Sequence, residues 1–179
     1  EKIINHTNMA LTRTLTWDRT KTIATVQFIA LAGVATIAPL FHQQWVTGPV
    51  VNAMFIIAVV LLGTQNAILL CLLPSTIALS VGLLPAVLAP MIPFIIISNV
   101  ILVLGFDKLR EKNYWLGIGV GSVLKFAFLW ATSSIVVNLL LKKEIAGNVI
   151  AIMSWPQLAT ALLGGVLAYI FLKFLKKPE

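Results

Sequence analysis

From Thr22 to Phe106 the chain runs for 85 consecutive residues without an Asp, Glu, Lys or Arg. A helix of a water-soluble fold keeps one polar face, whereas a helix in lipid needs apolar side chains all round. The stretch belongs in a bilayer, and the sequence reads as an integral membrane protein. Hydrophobic residues make up 59% of the 179 residues and charged residues 11%, which leaves no segment from which to build a soluble catalytic domain.

A hydrocarbon core of about 30 Å takes about 20 helical residues, so the sequence after Thr20 has room for roughly six spans. They are expected at Thr22–Leu40, Val50–Leu62, Ala67–Leu84, Met91–Phe106, Tyr114–Leu141 and Ser154–Phe174, with a polar loop over His42–Pro49 and a short turn over Gly63–Asn66. The expected fold class is therefore an all-α integral membrane protein, a compact bundle of six transmembrane helices. Residues 1–20 read as a polar N-terminal segment without a signal-peptide pattern, with a natural start at Met9 and Trp17 at headgroup level. Residues 21–177 read as a single six-helix transmembrane domain. Pro85 and Pro90 bracket an apolar connection expected to be partly embedded. Of thirteen Lys and Arg, ten fall at the termini and in the Asp107–Asn113 loop, two at Lys142 and Lys143, and one, Lys125, inside a span. The positive-inside rule then places both termini in the cytoplasm.

Lys125 is the most informative single residue. It lies eleven positions beyond Tyr114, about 16 Å along a helix, where a charge is costly and is functional by default. Two readings stand beside each other: Lys125 faces the bundle interior or a partner, with Gln27 as a polar neighbour, or it snorkels to the headgroups. Other polar residues collect toward the opposite mouth: His42, Gln43, Gln44, Asn52 and Asn138, with Trp155 and Gln157 opening the last span. Amides and indoles there suit a pocket for a small molecule, although a boundary tryptophan is ordinarily an interfacial anchor. Asn99 and Trp130 fall within spans four and five, and an amide at such depth must bond across helices or to a ligand. Small residues at helical spacing, Gly117 with Gly121 and Ala161 with Gly165, serve either internal packing or docking of another membrane subunit.

Catalytic signatures are missing: no HExxH, GxSxG or Walker A pattern occurs, no carboxylate enters a span, and two histidines are too few for a metal centre. No enzyme activity, cofactor, metal or nucleic-acid partner is expected, and the one cysteine, Cys71, excludes an internal disulfide.

The length, six spans, cytoplasmic termini, Ala-rich first helix ending at Pro39 and polar outer mouth together resemble the substrate-binding S components of energy-coupling factor transporters. In that family the S component captures a vitamin or metal ion from outside and docks on a transmembrane subunit with two ATPases, partly through an AxxxA pattern on helix one. Here Ala32 and Thr36 form a small-xxx-small counterpart. The segments Pro74–Leu79 and Ser154–Leu158 also resemble small bacterial membrane proteins that carry an "iron hydrogenase" label; a single cysteine does not supply the thiolates of such a centre. The resemblance implies a subunit of the bacterial cytoplasmic (inner) membrane that binds a small neutral or weakly anionic molecule in its outer half, with lipid, that ligand and a coupling module as partners. A structural or assembly subunit of a larger membrane complex is the alternative, and a small channel or lipid-handling protein is third.

Overall fold

The structure, a computed structural model, describes residues 2–41, 43–82, 86–140, 147, 150, 151 and 153–175; side chains are described from Arg19 onward, apart from 86–88 and 137–140. Among the described residues six long helices follow one another: α1 (Lys2–Ile37), α2 (Gln44–Leu62), α3 (Thr64–Ser80), α4 (Ile92–Arg110), α5 (Tyr114–Leu140) and α6 (Trp155–Leu175). Short 3₁₀ turns cover Ala38–Phe41 and Ala86–Met91, and no strand occurs among the described residues. Among the described residues five helical segments are long and apolar enough to cross a bilayer: Arg19–Phe41, Gln44–Leu62, Ala89–Arg110, Tyr114–Val136 and Trp155–Leu175. The remaining helix, α3, has 17 residues and so spans about 25 Å. The chain is a multi-pass, all-α membrane protein.

Several boundaries differ from those the sequence suggests. The polar residues after Glu1 are helical and run on into the first span as one helix, α1. The expected loop over His42–Pro49 is mostly helix, because α2 starts at Gln44 and carries Pro49 in its second turn, where only one ladder bond is lost. His42 lies outside the described residues. Only Gly63 separates α2 from α3, and its φ of 84° is the left-handed backbone that glycine adopts without strain. Asn66, read as part of a turn, sits in α3 and donates to Leu62 O at 2.8 Å. Helix α4 extends through Asp107 to Arg110, where Arg110 pairs with Asp107 at 2.9 Å. Asn113 then opens α5 by accepting hydrogen bonds from the amides of Trp115 and Leu116.

The central element is α2. From Phe55 to Val59 every side chain is buried, so this helix meets other helices on all sides rather than lipid. Glycines set how closely its neighbours come. A Cβ on Gly164 of α6 would lie 2.6 Å from Asn52 Cβ and 2.9 Å from Pro49 O, and one on Gly48 would lie 2.7 Å from Thr160 Cβ. Helices α4 and α5 form a second tight pair: a Cβ on Gly121 would lie 2.9 Å from Leu102 O, and one on Gly117 would lie 3.0 Å from Phe106 O.

Gly165 brings α6 onto α5, since its Cβ would lie 2.5 Å from Ile118. One turn outward, Tyr114 donates its hydroxyl to Gly165 O at 2.8 Å while its ring meets Phe106 edge-on. Tyr114→Phe removes that bond and little else, so denaturant or thermal unfolding in detergent should register a loss of about 1 kcal/mol. Gly117, Gly121, Ala161 and Gly165, named as docking candidates, are all buried, and the three glycines face neighbouring helices of the same chain. Ala32 and Thr36 lie half-buried on the peripheral α1, where the Thr36 hydroxyl returns to Ala32 O and Gly33 O.

Candidate functional site

The antiparallel pair α4/α5 builds a ladder of close approaches: Phe106 against Gly117, then Leu102 against Gly121. One turn further on, the next rung consists of Asn99 and Lys125. Lys125 Nζ donates to Asn99 Oδ1 at 2.8 Å and, across to α2, to Asn52 Oδ1 at 2.6 Å. The side chain is 3% exposed, so it does not snorkel. Asn52 is held from behind by Gly164, whose missing side chain lets α6 back directly onto that amide. Sequence separations of 26 and 73 residues thus converge on one nitrogen.

Every recorded partner of this lysine is neutral. Two amide oxygens replace part of the hydration of its amino group, but among the described residues no carboxylate bonds to it, and the one carboxylate in α4, Asp107, pairs with Arg110 at the helix end. Beside it, Ser122 of α5 is fully buried and its Oγ has no hydrogen-bond partner. Ser122 precedes Lys125 by three residues, so both occupy one face of the helix. The centre therefore offers an unfilled hydroxyl next to an uncompensated amino group. Cys71 of α3 is also fully buried, within the apolar core. On the side away from the charged loops, Met91, Leu129 and Met153 form a separate buried apolar plug, with Leu129 one helical turn beyond Lys125 on α5.

The other expected site residues are not brought into this centre. Gln27, proposed beside Lys125, is half-buried on α1 and does not bond to it. Gln43 is exposed before α2, while Gln44 and Gln157 are half-buried at the starts of α2 and α6. Trp155 stacks on Trp45 with ring centroids 5.3 Å apart, which ties those two helix starts together at the surface. Trp130 is 55% exposed on the outside of α5, and the neighbouring Thr132, Ser133 and Ser134 hydroxyls bond back to their own helix. The side chain of Asn138, like His42, lies outside the described residues. Sequence reasoning missed Ser122; its signal was the three-residue spacing to Lys125.

Comparison with protein-family models, with curated proteins and with solved structures finds no match to this chain. Among the described residues no group of His, Cys, Asp or Glu could hold a metal ion.

Proposed function

We propose that the chain is a membrane-embedded binding subunit of an uptake system, comparable to an S component, whose ligand is a small neutral or weakly anionic molecule. The observation that carries this reading is the buried Lys125 amino group with only amide oxygens for partners and the unpartnered Ser122 hydroxyl beside it. An acceptor-rich or anionic group arriving there would supply the missing charge and the missing bond, as expected of a mostly apolar pocket with a few oriented polar groups. In this reading the molecule spans the membrane six times with both termini in the cytoplasm of a bacterial cell, the tryptophan end faces outward, and the plug of Met91, Leu129 and Met153 lies on the entry route. The chain has no nucleotide-binding motif of its own, so energy would come from a separate coupling module.

Mass spectrometry of protein purified in mild detergent tests the proposal. The native chain should retain a small acidic or acceptor-rich compound, and Lys125→Met should release it while the protein stays monodisperse. Repeated absence of any such compound from the native chain sinks the reading. The enclosure of Lys125 favours a second reading, in which the three residues are a clasp between helices of a structural subunit. There Lys125→Met would weaken the fold and the association with a membrane partner, with no ligand to lose.

A further inference from the structure

At the opposite end of the bundle from Trp45 and Trp155, a groove of about 900 Å³ opens where α2, α4 and α6 end and α5 begins. Its walls are Val60, Phe106, Ile170, Leu172 and Phe174, and its floor includes Tyr114 and Tyr169. These two tyrosines, with Trp115 stacked on Tyr169 at 5.0 Å, form an aromatic cluster of the kind that settles at the boundary between acyl chains and headgroups. At the rim stand Arg110, Glu111 and Lys173. Arg110 is shared with Asp107, whereas Lys173 has no ion-pair partner among the described residues. Of the charged residues lining the groove, Arg110 and Lys173 are cationic and Glu111 is anionic.

We infer that the groove is a binding site for an anionic phospholipid of the leaflet at the charged end, separate from the Lys125 centre. A free phosphate would have no use for five apolar wall residues, and a bare acyl chain would have none for the basic rim. A lipid satisfies both: its tail lies along Val60, Ile170 and Phe174 while its phosphate takes Lys173 and the free edge of Arg110. The volume accommodates a headgroup with the upper part of a chain, the remainder staying in the bilayer.

Native mass spectrometry of the full chain in detergent, titrated with phosphatidylglycerol, with phosphatidylcholine of the same acyl chains and with glycerol 3-phosphate, tests the assignment. Phosphatidylglycerol should bind about tenfold more tightly than phosphatidylcholine, since each basic side chain near a headgroup contributes a several-fold preference. Raised salt should narrow that ratio. Lys173→Gln, a change at an exposed position that leaves the fold intact, should cut the preference several-fold, and Arg110→Gln with Lys173→Gln should bring it near one. Equal binding of the two lipids, a preference unchanged in Lys173→Gln, binding of glycerol 3-phosphate as tight as that of the lipid, or a second copy of the chain in place of a lipid adduct would each overturn it.

Discussion

Gly164→Ala should lose about 3 kcal/mol of stability, at the upper end of what overpacking costs, although alanine is the better helix former by about 1 kcal/mol. The new methyl would sit 2.6 Å from Asn52 Cβ, 2.9 Å from Pro49 O and 3.0 Å from the Ala53 amide nitrogen. Two of these three are backbone atoms of the central helix, which cannot turn aside as a side-chain tip can. The α2/α6 pair must separate, and with it the support behind Asn52. Gly119→Ala is the matched control, since a Cβ there meets nothing within 4 Å. That variant should be as stable as the native chain or slightly more so. Reversible unfolding of both proteins in the same detergent decides the matter; equal losses would mean that α2 and α6 are not packed as described.

The second large effect is an asymmetry within the polar centre. Removing an acceptor, in Asn52→Leu or Asn99→Leu, leaves the Lys125 amino group buried with one neutral oxygen, and should cost about 2–3 kcal/mol because an under-solvated charge is the expensive remnant. Removing the lysine, in Lys125→Met, leaves two uncharged amides and should cost nearer 1–2 kcal/mol, in line with interhelical side-chain bonds in membranes. Asn52→Leu combined with Lys125→Met should therefore be less damaging than the sum of the two, with a coupling of about 1 kcal/mol or more. Strict additivity, or a lysine change costlier than either asparagine change, would contradict the arrangement.

How much of this was legible in the sequence depended on the kind of signal. The spans were legible because lipid demands long apolar runs, and the one buried charge was legible because nothing near it in sequence resembles it. Pro49 misled: it was read as the end of a polar loop, yet it sits inside α2, as Pro74 sits inside α3. Rotational phase was not legible at all. Helices α2 and α5 are apolar round their whole circumference, so no pattern says which face of Val50–Leu62 carries Asn52 toward Lys125. Asn52 was accordingly assigned to the mouth and Gln27 to the lysine. Gly121 held the missing information, since its contact with Leu102 fixes the register that brings Asn99 opposite Lys125. Whether a small-residue stripe faces inward or outward is likewise decided only by tertiary contacts.

The two hydrogen bonds of Lys125 are mechanically unequal. The bond to Asn99 stays within the α4/α5 pair, whose separation is fixed by glycine contacts, while the bond to Asn52 crosses to the block formed by α2, α3 and α6. At the charged end the two blocks are pinned by Gly165 on Ile118 and by the Tyr114 hydroxyl. At the other end, thioether and aliphatic side chains fill the space between α4, α5 and the residues before α6. Such side chains re-pack at low cost. The Asn52–Lys125 bond is thus a polar latch between the glycine-fixed α4/α5 pair and the central helix of the bundle.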